Sequence, residues 1–169
     1  MRLPYQSGKV TLTSKFGWRN LNGSSDYHKG IDLSGTNKTL TAPCDGVIGS
    51  STIITDKNNL TWQWGNYVRI DADNGIQIYM CHMKERKVKT GDRVKTGDVI
   101  GIEGDTGYSF GSHCHFEVRK NGESINPCEF LGIPNAYGVN EVKKMEVNNM
   151  STYYRDVPKN AWYADAVDF

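Results

Sequence analysis

The sequence predicts a mainly β fold made of short antiparallel strands. Glycine is frequent, with 18 among 169 residues, whereas proline occurs five times. Val, Ile, Thr and Tyr recur in short runs between the glycines; such residues favour strands, and glycine supplies the tight turns between strands. The length of the chain allows one domain with its own hydrophobic core and a short additional segment.

The strand pattern can be followed along the chain. Residues 9–20 alternate enough to predict one strand, and the turn residues of 21–27 predict a loop. The tripeptide Asp73-Asn74-Gly75 is a hairpin signal between two predicted strands. The remaining strands are short runs bounded by Gly, Asp or Asn, namely 46–49, 66–70, 76–80, 99–102 and 115–119. An antiparallel sheet or sandwich follows from this pattern.

Two later segments look different. Residues 88–98 contain a tandem repeat, Val-Lys-Thr-Gly-Asp-Arg followed by Val-Lys-Thr-Gly-Asp, which is too short for a solenoid and predicts two successive turns. From about residue 132 the hydrophobic alternation stops. We therefore expect the main domain to cover residues 1–133 and a linker to cover residues 134–152.

Charge and hydropathy exclude several classes of partner. The 20 basic and 19 acidic side chains leave no net field that would recruit nucleic acid or an anionic membrane. No apolar run approaches the roughly 18 residues needed to span a bilayer, and residues 1–8 lack the apolar region of a signal peptide. We expect a monomer with no nucleic-acid partner and no membrane span.

The spacing of the cysteines indicates structural thiols and not a redox or metal-binding motif. Cys44, Cys81, Cys114 and Cys128 show no CxxC spacing, which argues against a redox pair and against a four-thiolate zinc site. We expect buried free thiols. A pair between Cys81 and Cys114 stays open, because sequence alone does not establish connectivity.

All the histidines stand in contexts that could converge on one site: His28, His82, His113 and His115. A spacing of four puts His28 and Asp32 on one side of a helical or extended segment. Within a strand, His113 and His115 share a face and Cys114 points the other way. A catalytic zinc needs about three His or carboxylate ligands and an open position for water. A hydrolytic metal site is therefore predicted, with the other histidines available for proton transfer or oxyanion stabilisation.

The order and context of these residues resemble peptidase family M23, the lysostaphin and LytM type of peptidoglycan endopeptidase. The resemblance covers about Val10 to Leu131. The matching segments are Thr13-Ser14-Lys15-Phe16-Gly17-Trp18-Arg19, His28-Lys29-Gly30-Ile31-Asp32-Leu33, Ala42-Pro43-Cys44-Asp45-Gly46-Val47, Tyr79-Met80-Cys81-His82-Met83 and the glycine-rich approach 104–118 to His113-Cys114-His115.

The resemblance implies the M23-type fold and a zinc-dependent endopeptidase that cuts bacterial peptidoglycan at the cell wall, with one zinc ion per chain. By position, His28, Asp32 and His115 would be the metal ligands, and His82 and His113 would flank the attacking water. For Glu117, two roles stay open: a general base, or a hydrogen bond that orients a ligand.

Some details depart from the family or stay open. Ser112 and Cys114 stand where the family often has proline and leucine, and these changes leave every implied ligand intact. The implied substrates include a stem-peptide D-alanyl linkage to a diamino acid, a stem-to-bridge linkage and a glycine-glycine bridge. Aromatic residues in or beside loops are candidate walls of a peptide groove, or core residues: Trp62, Trp64, Tyr67 and Tyr108.

Origin and regulation are expectations only. A phage or prophage endolysin released by lysis and a bacterial enzyme secreted with a leader both fit the sequence. Because no long segment precedes the first strand, we expect no pro-region. Two rivals remain: a catalytically silent M23-like domain that binds the wall, which a lost ligand would signal, and a biotinyl-type carrier, for which the lysine-bearing hairpin is missing.

The last segment, residues 153–169, resembles the beginning of an S-layer homology repeat, a wall-anchoring module. It has Asp-Val-Pro followed by Trp162, Ala166 and Phe169 at helical spacing. The resemblance implies a short helical C-terminal extension that binds a secondary wall polymer. A C-terminal helix of the main domain is the alternative.

Overall fold

A computed structural model describes residues 1–143. Within these residues the fold is mainly β and antiparallel, as predicted, with one 3-10 helix at Leu60–Trp64 and one short α-helix, α1, at Pro127–Leu131. The strands are β1 (Lys9–Ser14), β2 (Gly17–Leu21), β3 (Ser24–His28), β4 (Ile31–Gly35), β5 (Thr39–Thr41), β6 (Gly46–Ile53), β7 (Asn66–Ala72), β8 (Gln77–Met83), β9 (Glu85–Arg86), β10 (Arg93–Val94), β11 (Val99–Ile102), β12 (Cys114–Lys120), β13 (Glu123–Ile125) and β14 (Gly138–Glu141).

The strands form three sheets. The largest has nine strands in the order β10-β6-β7-β8-β12-β4-β1-β14, with β13 paired to β12. A three-stranded sheet has the order β5-β11-β9, and β2 and β3 form a separate hairpin. The centre of the large sheet is therefore β8-β12-β4, three strands that are distant in sequence.

One hydrophobic core joins the large and the three-stranded sheets. Leu40 of β5 and Ile100 of β11 belong to the same buried cluster as Ile48, Ile70 and Phe116 of the large sheet. Each of these side chains is fully buried. Burial of apolar area is the main favourable term in folding, so this cluster stabilises the packing of the central strands.

Most predicted strands are confirmed. The runs 66–70 and 115–119 lie in β7 and β12, the run 76–80 overlaps β8 from its second residue, and 99–102 coincides with β11. The predicted hairpin turn joins β7 to β8, and Gly75 takes a φ of 82° there, a conformation that glycine adopts at little cost.

The prediction for the first strand and the loop after it is wrong. Residues 9–20 form two strands, because the chain changes direction at Gly17, whose φ is 99°. The predicted loop, residues 21–27, contains most of β3, which pairs with β2 around a turn at Asn22 and Gly23, with φ of 53° and 87°. An Asn-Gly pair is itself a strong hairpin signal, so the sequence contained the information that was missed.

The tandem repeat forms two turns, as predicted, with the same hydrogen bond in each copy. The backbone N–H of Lys89 donates to Asp92 over 2.7 Å, and that of Lys95 donates to Asp98 over 2.8 Å. Equal local sequence thus produces equal local structure, since each aspartate caps its own turn.

The predicted linker is wrong for its first part. Gly138–Glu141 forms β14 and pairs with β1 at the edge of the large sheet. The strand was missed because an edge strand needs no apolar alternation, and Val139 is 61% exposed. The predicted repeat at residues 153–169, with its helical extension, lies outside the described residues.

The thiols are free in the described part of the chain. Cys81, Cys114 and Cys128 are buried and Cys44 is half-buried, with no disulfide among them. Cys81 and Cys114 lie on the neighbouring strands β8 and β12. No helix within residues 1–143 is long and apolar enough to cross a membrane.

The close approach of the 3-10 helix to the loop at Gly107 generates a prediction about stability. Gly107 has a φ of 75°, and a Cβ there would lie 2.4 Å from the carbonyl oxygen of Gln63. We expect Gly107→Ala to lower the free energy of unfolding by roughly 3 kcal/mol, because it adds a backbone clash to a left-handed conformation. Urea denaturation measures the change.

Gly91→Ala is the matched control. Gly91 has a φ of 96°, but nothing lies within 4 Å of the position that a Cβ would occupy there, so about 1 kcal/mol is expected from conformation alone. Equal losses in the two variants would contradict the claim that the loop approach itself leaves no room for a side chain.

Candidate metal centre

Three predicted site residues converge. His28 is the last residue of β3, Asp32 lies in β4, and His115 lies opposite Asp32 in the register of β4 with β12. His28 Nε2 is 3.0 Å from His115 Nδ1 and 3.3 Å from Asp32 Oδ1. His115 Nδ1 is 2.9 Å from Asp32 Oδ1. One atom from each residue therefore faces the same point.

The turn between β3 and β4 explains the glycine in this motif. Between His28 and Asp32 the chain passes close to β12, and a Cβ on Gly30 would lie 2.5 Å from the Phe116 carbonyl oxygen and 3.0 Å from the ring of His115. Only a residue without a side chain allows this approach. The turn, rather than a regular helix or strand, brings His28 and Asp32 together.

Each histidine of this group has its far nitrogen anchored. His28 Nδ1 is 2.8 Å from the carbonyl oxygen of Lys15 and therefore donates its proton there. His115 Nε2 is 3.0 Å from Glu117 Oε1 and donates to that carboxylate. With these tautomers, the inward nitrogens of both rings carry lone pairs. Together with Asp32, three acceptors then face one another, and only a cation or a proton satisfies them.

The donor set fits one divalent ion. Zinc bound tetrahedrally to nitrogen and oxygen at about 2.0–2.1 Å requires its ligand atoms to lie about 3.3 Å apart. The three donor pairs here are separated by 2.9, 3.0 and 3.3 Å. Two imidazoles and one carboxylate are ligands that zinc accepts, and three ligands leave one position open. The residues can hold a single metal ion.

The pKa shifts of Asp32 and His115 also indicate that this group of residues stabilises a positive charge. Burial alone would raise the pKa of Asp32, but its contacts with His115 and His28 lower it well below its ordinary value. Burial would lower the pKa of His115, but Asp32 and Glu117 outweigh this effect and raise it to about 9. The two carboxylates thus stabilise a positive charge between them.

His82 and His113 stand beside this group. His82 Nδ1 lies 2.7 Å from the carbonyl oxygen of Thr106, and His113 Nδ1 lies 2.7 Å from that of Gly111. The two rings are 4.7 Å apart between centroids, and His113 Nε2 is 3.8 Å from Asp32 Oδ1. Donation to the carbonyls leaves the Nε2 lone pair of each ring available at the site.

The backbone of His82 is strained. Its φ is 64° although it is not glycine, a conformation that costs about 1–3 kcal/mol and is found where surrounding structure enforces it. Burial is also the main reason that the pKa of His82 falls to about 4. The imidazole is therefore neutral around pH 7, with the lone pair on Nε2.

The role of Glu117 is the one expected of an orienting residue. Its side chain is 3% exposed, and it accepts hydrogen bonds from His115 and, through its other oxygen, from Arg119 over 2.8 Å. Arg119 in turn stacks on Tyr79, with 4.6 Å to the ring centroid. Both carboxylate oxygens thus hold hydrogen bonds within the protein, which favours the orienting role over that of a general base.

Sequence reasoning missed Arg19 of β2. Arg19 forms an ion pair with Asp26 at 2.8 Å and lies 3.9 Å from the second oxygen of Asp32. Nothing in the sequence signalled this, because the pairing depends on the β2-β3 hairpin, in which Arg19 stands opposite Asp26.

The five predicted residues line an open central groove of about 1040 Å³. Of the predicted wall residues, Trp64 and Tyr108 line this central groove. Trp62 packs edge-on against Tyr108, and Tyr67 packs against Trp64. Trp62 and Tyr67 thus contact the two aromatic residues that line the groove.

The groove has further apolar lining that was not predicted. Phe110 is 90% exposed and Leu60 is 79% exposed, and Leu21 and Tyr27 lie on the hairpin at the groove. For Phe110 a signal did exist, since it is flanked by serine and glycine in a turn-rich segment where a core residue is not expected. Exposed apolar side chains around a polar centre are typical of binding sites.

An antiparallel β scaffold with two histidines and one carboxylate around an open position, and further histidines beside it, defines the metallohydrolase class of site. The chain belongs to peptidase family M23: the description of that family matches residues 26–127. This range includes every predicted site residue.

Individual relatives agree with the family. The chain is 35% identical to the peptidoglycan DD-endopeptidase ShyC of Vibrio cholerae over 120 residues, which are 69% of this chain and 26% of that protein. It is 38% identical to the glycyl-glycine endopeptidase ALE-1 of Staphylococcus capitis over 94 residues, 52% of this chain and 25% of that protein. The chain spans about a fifth to two fifths of the length of the curated relatives that it matches.

The fold is also that of solved family structures. The catalytic domain of the antimicrobial peptidase lysostaphin from Staphylococcus simulans superposes with a TM-score of 0.61 at 27% identity. The match covers 75% of this chain and 92% of the lysostaphin domain.

The hydrogen bond between Glu117 and His115 generates a prediction about metal affinity. Glu117→Gln weakens the acceptor and sets an amide against Arg119, so His115 is held less firmly. We expect the affinity for Zn²⁺ to fall by about ten-fold or more, as measured by competition with a chromogenic chelator.

Glu123→Gln is the matched control, because Glu123 is an exposed acid of β13. Its zinc affinity should equal that of the wild type. An unchanged affinity in the folded Glu117 variant would mean that His115 does not depend on Glu117 for its orientation.

Proposed function

We propose that this chain is a zinc-dependent endopeptidase that hydrolyses peptide bonds of bacterial peptidoglycan. The observation that carries the proposal is the convergence of three acceptor atoms, from His28, Asp32 and His115, within 3.3 Å of one another. Relatives described as peptidoglycan DD-endopeptidase and glycyl-glycine endopeptidase support the substrate class.

His28, Asp32 and His115 would hold the zinc ion. When bound, a zinc ion supplies a Lewis acid that polarises an amide carbonyl and lowers the pKa of a water molecule toward 7. The protein keeps the ligand geometry through hydrogen bonds that the far nitrogens of both histidines donate, one to Lys15 and one to Glu117. This arrangement restricts ring rotation and keeps the inward lone pairs directed at the metal position.

His82 and His113 would move protons. His82 is neutral, since burial lowers its pKa to about 4, and its Nε2 can accept the proton of the attacking water. The same nitrogen can then return a proton to the leaving amine. The Nε2 atom of His113 lies 3.8 Å from Asp32. When Nε2 carries a proton, His113 would stabilise the negative charge that develops on the carbonyl oxygen. No covalent intermediate is required.

The central groove would bind the peptide. Its apolar walls at Trp64, Tyr108 and Phe110 present flat area to the substrate, and the groove is open, as an endopeptidase needs for a cross-linked polymer. Relatives include both a DD-endopeptidase and a glycyl-glycine endopeptidase, and the peptide ends released from purified walls would identify the bond that this chain cuts.

The place of action follows from the substrate. We propose that the protein acts at the bacterial cell wall, as a phage or prophage endolysin or as a wall enzyme of the bacterium. Residues 153–169 would add affinity for a secondary wall polymer, on the strength of the sequence resemblance alone.

Two substitutions separate metal binding from proton transfer. His115→Ala removes a ligand and should abolish both stoichiometric zinc and wall clearance. His82→Ala should retain zinc, because His82 is not among the three converging donors, while the rate of clearance falls by about 10²–10⁴-fold. Zinc is measured by mass spectrometry, and clearance by turbidity and by released peptide ends.

His82 and His115 should therefore fail in different ways. A His82 variant that loses zinc together with activity would contradict its role outside the ligand set. A wild-type protein that binds walls but releases no peptide ends, even with zinc added, would favour a catalytically silent binding domain and sink the proposed function.

Metal removal gives an independent test. A strong chelator should stop clearance, and stoichiometric Zn²⁺ should restore it, whereas Mg²⁺ should not, since it prefers an octahedral oxygen site. Clearance that persists in metal-free protein, verified by mass spectrometry, would contradict the mechanism.

A further inference from the structure

Glu103 is a buried carboxylate outside the proposed metal centre. It follows β11, and its side chain is 0% exposed. One oxygen accepts hydrogen bonds from the hydroxyl of Tyr5 at 2.7 Å and from the backbone N–H of Gly35 at 2.9 Å. The other accepts from Lys38 Nζ at 2.6 Å and from the hydroxyl of Ser112 at 2.7 Å.

These partners come from separate parts of the fold that surround the site. Gly35 ends β4, three residues after Asp32, and Ser112 directly precedes His113. Burying a carboxylate is costly unless several donors compensate for lost water. Here they do: although burial would raise the pKa of Glu103, the donors lower it. Glu103 is therefore an anion that ties these segments together.

Backbone hydrogen bonds also hold His113 and Glu103 in place. The N–H of His113 donates to the carbonyl oxygen of Gly104 over 3.1 Å, and the N–H of Glu103 donates to Lys38 over 2.8 Å. Ser34 Oγ also donates to the carbonyl oxygen of Ser112 over 3.3 Å. Residues 112 and 113 are thus fastened to β4 and to the end of β11 by both main chain and side chain.

The identity of residue 112 gives this contact its significance. A serine does not restrict its own backbone as the ring of a proline would. In this chain, the hydrogen bond to Glu103 supplies rigidity at residue 112.

We propose that Glu103 is a positioning residue that acts through Ser112 to hold His113 in place beside Asp32. The inference rests on the proposed function, in which His113 stabilises charge during peptide hydrolysis. Because a misplacement of about 1 Å at a reacting group can cost roughly 100-fold in rate, one lost anchor should be visible in kcat.

The test removes the Ser112 hydroxyl. For Ser112→Ala we expect kcat on a soluble peptide from the cleaved wall to fall about ten-fold with little change in KM, and zinc affinity to stay at the wild-type value. Ser112→Thr keeps a hydroxyl and should restore most of kcat. Ser51→Ala is the control: it removes a hydroxyl that donates to Val88 over 2.7 Å on β6, and should leave kcat unchanged.

A second measurement does not depend on activity. Hydrogen exchange of the His113 backbone amide reports the bond to Gly104, and it should become faster in Ser112→Ala but not in Ser51→Ala. Unchanged exchange and unchanged kcat in Ser112→Ala would overturn the inference, as would equal losses in Ser112→Thr. If the wild type cleaves no wall peptide, the proposed function fails, and the exchange rates still decide whether Glu103 and Ser112 hold His113.

Discussion

The site depends on the pairing of β12 with β4, which sets His115 directly opposite Asp32. These residues are 83 positions apart in sequence, and only the register of the sheet brings their side chains within hydrogen-bond distance. A slip of one residue would turn every side chain to the opposite face. The buried residues on either side, Phe116 and Leu33, prevent such a slip, because it would expose them to water. The hydrophobic core therefore determines the geometry of the polar site.

A common arrangement orients all of the histidines. Each ring has one nitrogen fixed by an acceptor: a backbone carbonyl for His28, His82 and His113, and Glu117 for His115. Backbone carbonyls are held by the fold itself, so these rings need no extra side chains to be oriented. The cost of burying polar rings is offset by hydrogen bonds, and the inward nitrogens remain available. The proposed metal and proton-transfer roles both draw on this arrangement.

Around the polar centre the backbone is strained at one residue and packs closely against neighbouring segments at several glycines. His82 has a φ of 64°, and Gly30, Gly65 and Gly107 lie where a Cβ would meet other atoms at 2.4–2.5 Å. These contacts bring the His28 turn onto β12 and the 3-10 helix onto the loop that carries Tyr108. The groove walls are thus attached to the sheet through backbone packing. Exposed aromatic residues at their tips are free to contact a ligand.

The sequence by itself determined the mainly β class, the hairpin at Asp73-Asn74-Gly75 and the two turns of the repeat, because local turn chemistry and period-two alternation are properties of neighbouring residues. Residue spacing and the resemblance to family M23 supplied the candidate residues His28, Asp32, His82, His113 and His115. The sequence did not determine that β14 joins the sheet, since an edge strand is defined by its partner and not by its own pattern. The β2-β3 hairpin, in contrast, had a local signal in Asn22-Gly23 that was missed. Tertiary structure alone decided that Arg19 lies beside Asp32 and that Glu103 links Ser112 to β4. Each of these contacts joins segments that are distant in sequence, and the distance between such atoms is fixed by sheet register and core packing, which no local pattern contains.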